Sequence, residues 1–133
     1  MGESAGIIVK GMGGVYYVSE RTAAGNDIES KDVRLNWAGT GELWCCQARG
    51  LFRKNGQTPV IGDRVLFDDK KCLITTILDR KNEFLRPRVA NIDTLAVVIS
   101  ASVPEPDYFL LDKLLVYCVL NEVRPVVVIN KCD

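Results

Sequence analysis

The sequence predicts a mixed fold, a small all-β barrel followed by the opening β-α-β of an α/β domain. Three observations carry this expectation. From Gly6 to about Asp79, short β-like runs are separated by Gly, Asn and Asp, and no helical period is sustained over three turns. From Thr94 onward the texture changes to long apolar runs, beginning with TLAVVIS at 94–100. The 133 residues are 47 % apolar, enough for a packed core in one ordinary domain or two small ones.

Barrel strands are expected at Ile7–Lys10, Val15–Ser19, Leu43–Arg49, Arg64–Phe67 and Cys72–Leu78. Five short strands are too few for a sandwich. They suit a partly open barrel that hides most of its edges by closing on itself, so residues 1–82 read as an OB-like domain. Gly11, Gly13 and Gly14 punctuate the first hairpin, and Gly62-Asp63 stands where a turn launches the fourth strand. Residues 20–42 are polar and form a long loop, functional or mobile. Trp37 at its centre either stacks on a base or pins the loop to the barrel, and pinning is the preferred reading.

Residues 83–93 read as a linker, entered through Arg80-Lys81-Asn82-Glu83 and crossed by Arg86-Pro87-Arg88, where Pro87 biases Arg86 to an extended conformation. Thr94–Ser100 then has the nearly unbroken apolar character of a parallel strand covered on both faces. Pro104 and Pro106 stop it, and Asp107 is placed to cap a helix over Tyr108–Leu120. Only Asp112 and Lys113 interrupt that segment's apolar run, so the helix is expected to be buried. Pro125 opens a second apolar strand, Val126–Ile129, making residues 94–129 one β-α-β unit with a right-handed crossover.

Seventeen Lys+Arg balance seventeen Asp+Glu, so the chain as a whole carries no field that steers it to nucleic acid or membrane. The basic excess is local, with ten basic and five acidic side chains between residues 49 and 90. Five cysteines without a C-x-x-C pair, and no histidine, argue against a zinc site and for free thiols in a reducing compartment. Cys45 and Cys46 are neighbours on an expected strand and point to opposite faces. The N-terminus lacks the pattern of a signal peptide, Gly6 stands where a myristoylation motif needs Ser or Thr, and no stretch approaches the roughly 18 apolar residues of a membrane span. The cytosol is the expected compartment.

The second apolar strand runs into Asn130-Lys131-Cys132-Asp133, which fits the N-K-x-D element that reads guanine. The chemistry is geometric. A carboxylate at Asp133 accepts two parallel hydrogen bonds, from guanine N1–H and its exocyclic amine, and adenine lacks both donors. A mismatched base leaves that carboxylate unpaired, at a cost of roughly 1–3 kcal/mol. Asn130 can bind the acceptor edge of the base or hold neighbouring loops, the stem of Lys131 can lie along the ring while its ammonium stays wet, and Cys132 is a spacer. Ligands of open α/β sheets bind past the carboxyl ends of strands, where this tetrapeptide is expected. The bland alternative is a polar turn with Asp133 as a cap. No G-x-x-x-x-G-K-[ST] phosphate loop stands before Asn130, so a guanine site here requires a permuted order of elements.

With that order the chain resembles the ribosome-small-subunit-dependent GTPase A (RsgA) family, in which an OB barrel precedes a P-loop-type GTPase domain whose N-K-x-D comes before its phosphate loop. The likeness spans nearly the whole chain and rests on GVYYV at 14–18, CQARGLFR at 46–53, PVIGDRV at 59–65, RKNEFLRPRVANID at 80–93, LDKLLV at 111–116 and the run 126–133. The stretch 80–93 is the most specific. The resemblance implies a small-subunit maturation factor that binds rRNA and hydrolyses GTP, using GTP or GDP with Mg and a zinc-binding segment, the last two outside these residues. It implies as partners the small ribosomal subunit and a guanine nucleotide; no membrane partner is expected, and the protein is expected to be monomeric. Phosphate contacts are expected from the basic residues Arg49, Arg53, Lys54, Arg80, Lys81, Arg86 and Arg88, whose alternative is a solvated face. No residue here is expected to be catalytic. A lone β-α-β also leaves open edges and an apolar helix with few partners, so the natural polypeptide is expected to continue past Asp133.

Two rival readings remain. A stand-alone OB-fold binder of RNA or single-stranded DNA would bind in a salt-sensitive way without preferring guanine nucleotides. An interaction protein pairing through its sheet edge would form a dimer independent of nucleotide.

Overall fold

The computed structural model describes residues 2–20 and 43–133. The first of its two units, 1–90, contains β1 (Glu3–Met12), β2 (Val15–Glu20), β3 (Leu43–Ala48), the short helix α1 (Gly50–Lys54), β4 (Arg64–Asp68), β5 (Leu73–Ile77), β6 (Glu83–Leu85) and β7 (Arg88–Ala90). The first five strands close a barrel in the order β1-β2-β3-β5-β4, antiparallel except where β3 meets β5. The OB-like barrel expected from the sequence is therefore present. The long loop and Trp37, apart from Glu20 at the end of β2, lie outside the described residues.

Every barrel strand contributes to one core of Ile8, Val18, Cys46, Val65, Phe67, Ile74 and Ile77. Ile74 and Ile77 are three positions apart, against the two-residue period of a strand. The pairing of β4 with β5 steps from Leu66–Thr76 to Phe67–Ile74, and the extra residue, Thr75, donates its hydroxyl to the Leu66 carbonyl at 3.1 Å. This bulge resets the alternation and turns both isoleucines inward. On β3 the alternation is regular, so Cys46 is buried and Cys45 exposed. Burial, helped by the neighbouring Cys72 and Cys45 thiols, pushes the Cys46 thiol up to about 11.

The stretch 83–93 differs from the linker expected there. Residues 83–90 fold as the β6–β7 hairpin, pairing Glu83 with Ala90, Phe84 with Val89 and Leu85 with Arg88. Phe84 and Ala90 are buried, Val89 bridges to Ile61, and the Ala90 N–H donates to the Ile61 carbonyl at 2.9 Å. The physical reason is that the paired Phe84 and Val89 give this charged stretch an apolar face, while Ala90 on the other face packs against Gly62. Gly62 makes the close approach possible. Its φ is +92°, and a Cβ there would run into the Ala90 carbonyl oxygen.

A buried ion pair locks the same region. The Asp63 side chain is fully buried, and its two carboxylate oxygens accept from Arg80 Nε at 2.7 Å and Nη2 at 2.8 Å. One of those oxygens also accepts from the Val60 N–H at 2.8 Å. Arg80 donates further to the Thr58 carbonyl at 2.9 Å and pairs with Glu83 at 2.8 Å. Its hydrogen bonds to Asp63 raise the Arg80 pKa further above the ordinary arginine value. One guanidinium thus ties the loop before β4 to the base of the hairpin.

The second unit, residues 91–133, contains β8 (Thr94–Ser100), α2 (Tyr108–Leu120) and β9 (Arg124–Asn130). The strands pair in parallel from Thr94–Arg124 to Ser100–Asn130. Asp107 caps α2 as expected, accepting from the Leu110 N–H at 2.9 Å. Two expectations are corrected here. Cys118 is the buried residue of α2, whereas Phe109, Leu110, Val116, Val119 and Leu120 are exposed. The sheet is not covered on both faces either, since Val98 is 63 % and Ile129 59 % exposed. One helix against two strands supplies too little surface to cover these runs.

The Asp63–Arg80 pair and the burial of Cys46 each have a measurable consequence. Arg80→Ala leaves a buried carboxylate unpaired and is expected to lower unfolding free energy in urea by about 3–5 kcal/mol. Arg86→Ala, at the exposed turn, should change it by no more than about 0.5 kcal/mol. Thiol alkylation at neutral pH should modify Cys45 and Cys132 while sparing Cys46. Because the Cys46 pKa is raised from 9.0, its protonation supports folding fully below that pH, and the contribution is lost as pH rises through about 11.

Candidate functional site

Two exposed constellations emerge, one in each unit. In the second unit, β9 ends at Asn130, so the N-K-C-D tetrapeptide lies at the carboxyl end of a parallel strand pair with all four residues exposed. The Asn130 carbonyl accepts from the Ala101 N–H at 2.8 Å, tying the tetrapeptide to the segment that leaves β8. The Asn130 side-chain oxygen accepts from the Lys131 N–H at 2.9 Å. Lys131 adopts φ +58°, a conformation that costs a non-glycine residue roughly 1–2 kcal/mol. From there its ammonium donates to the Val103 carbonyl at 2.7 Å. The Cys132 thiol lies 3.6 Å from the Ile129 carbonyl. Asp133 is exposed, and its carboxylate is open to a solute.

In the first unit, the basic residues separate into distinct environments. Arg86 and Arg88 are exposed at the turn and first residue of β7, next to Leu85, which is 77 % exposed. Lys81 is exposed at the base of the same hairpin, and Arg49 is exposed between β3 and α1. Arg53 and Lys54 fall in α1, with side chains outside the described residues. Arg80 is corrected. Its side chain is 15 % exposed and committed to Asp63, Thr58 and Glu83, so it shapes the hairpin rather than offering charge to a phosphate. A run of basic letters does not distinguish a guanidinium that serves a carboxylate seventeen positions away from one that faces water.

The comparisons with known proteins decide the lineage. The family model described as RsgA GTPase matches residues 77–133, and that described as RsgA N-terminal domain matches residues 37–74. The chain belongs to the RsgA family. The small ribosomal subunit biogenesis GTPase RsgA of Ruminiclostridium cellulolyticum is 41 % identical, over 96 % of this chain and 38 % of that protein. The RsgA of Caldanaerobacter subterraneus is 39 % identical, over 96 % of this chain and 38 % of its own length. Among solved structures, YloQ, a circularly permuted GTPase, superposes with a TM-score of 0.66 at 34 % identity, covering 99 % of this chain and 42 % of YloQ. YjeQ from Thermotoga maritima gives 0.69 at 31 % identity, covering 98 % and 42 %. The chain thus spans about two fifths of the length of the RsgA proteins it matches.

Proposed function

We propose that this chain is the guanine-reading and RNA-contacting front part of a small-subunit biogenesis GTPase. The observation that carries the reading is the exposed Asn130–Asp133 tetrapeptide at the carboxyl end of β9, in a chain of the RsgA family. Asp133 pairs with guanine N1–H and the exocyclic amine, Asn130 braces the loop, and the stem of Lys131 lies along the ring. No residue of these 133 is assigned to phosphate, magnesium or zinc binding or to hydrolysis, so the chain alone binds GTP weakly and does not turn it over. Among the described residues there is no group of three or more His, Cys, Asp or Glu suited to a metal. The protein works as a monomer in the cytosol, on the small subunit and its rRNA.

The barrel supplies the RNA contact. Arg49, Lys81, Arg86 and Arg88 are among the exposed basic side chains of the 49–90 cluster, and the hairpin tip carrying Arg86 and Arg88 presents two of them together. The same hairpin supports the simpler alternative of a nucleic-acid binder without nucleotide chemistry. Guanine preference separates the two.

In the complete gene product, GDP is expected to bind at least tenfold more tightly than ADP, with Asp133→Asn removing most of the difference. Equal affinities in the unsubstituted protein would reject the guanine reading. For RNA, replacing Arg86 and Arg88 together by Gln should flatten the slope of log affinity against log salt by roughly 1.4–1.8, measured on isolated small subunits. Arg80→Gln, once corrected for loss of folded protein, should leave that slope unchanged.

A further inference from the structure

The segment leaving β8 lies against the N-K-C-D tetrapeptide, and its contacts have a direction. Parallel pairing sets Ser100 level with Asn130, the last pair of the ladder. One residue later, the Ala101 N–H donates to the Asn130 carbonyl at 2.8 Å. The Ser100 hydroxyl oxygen then accepts from the Ser102 N–H at 3.2 Å, folding the segment back on itself two residues past the strand. That fold presents the Val103 carbonyl to the Lys131 ammonium at 2.7 Å. Pro104 follows and restricts the conformations open to Val103.

We propose that residues 100–103 are the second wall of the base site and that Ser100 is a positioning residue for guanine nucleotides, acting through Lys131. The inference rests on the guanine reading above and adds to it a group outside the N-K-x-D pattern. A lysine stem carries four rotatable bonds and is a poor surface for a flat ring unless its far end is held. Here the near end is set by the left-handed backbone at Lys131, and the far end by a charge-assisted hydrogen bond to Val103. The stem is thereby fixed before a base arrives, and that part of the ordering cost is removed from the binding step. Ser100 touches neither the base nor the ammonium. It holds the turn that offers the carbonyl, so its contribution exists only while Lys131 has an ammonium to place.

This dependence gives the test, a double-mutant cycle on GDP binding in the complete gene product. Ser100→Ala is expected to weaken GDP binding by about three- to tenfold, and Ser100→Thr, which keeps the hydroxyl, to restore it to within about twofold. In a Lys131→Met background, where the stem remains and the ammonium is gone, Ser100→Ala should have no further effect. Parent-like affinity in Ser100→Ala, an equal loss in both backgrounds, or failure of Ser100→Thr to rescue would each overturn the proposal. If the unsubstituted protein binds GDP and ADP equally, the guanine reading itself fails and takes the positioning role with it. A clear GDP preference combined with an additive cycle removes Ser100 alone.

Discussion

The parallel ladder between β8 and β9 is the constraint on which the proposed nucleotide site depends. Its pairs run without a bulge from Thr94–Arg124 to Ser100–Asn130, so the two strands end at the same level. A slip of one residue would turn every side chain of β9 to the opposite face and carry Asn130 away from the segment after Ser100. Because the register holds, the Asn130 carbonyl can receive the Ala101 N–H, and the Lys131 ammonium can reach Val103. The site is thus assembled by backbone pairing first and by side chains second. Apolar residues along both strands favour sheet formation, and both runs end in polar residues, Ser100 and Asn130.

The barrel depends on a different kind of fastening. Its core is small, and its hairpin stays in place through Phe84, the close approach at Gly62 and the Asp63–Arg80 pair. A buried ion pair contributes little net stability compared with a well-packed apolar substitute, but it is intolerant of losing either partner. Its value here is geometric. It fixes the base of β6 while leaving Arg86 and Arg88 at the tip in solvent. The distinction between Arg80 and its neighbours is one between a charge that organises the fold and charges that are available to a partner.

Much of this was legible in the sequence, for identifiable reasons. Strand alternation and turn residues indicated the five-stranded barrel, the apolar run of TLAVVIS indicated β8, and Asp107 indicated the start of α2. The permuted order was legible because N-K-C-D appeared with no phosphate loop before it. Other features were not. The hairpin at 83–90 was hidden because its apolar residues are scattered among arginines and its strands are three residues long. The second inward isoleucine of β5 needed a bulge at Thr75 that no local pattern announces. The role of Arg80 depended on Asp63, and the placement of Ser100 beside Asn130 on strand register, both long-range facts. Helix burial was misread because an apolar sequence states what a segment requires, whereas the covering elements determine what it receives.

The most direct test of the account is a crystal structure of the complete gene product with GDP bound. It should show the purine at the carboxyl end of β9, its N1–H and exocyclic amine about 2.7–3.2 Å from the Asp133 carboxylate, and the Lys131 stem against the ring. A nucleotide bound with its base elsewhere, or with Asp133 turned away from the purine edge, would contradict the account.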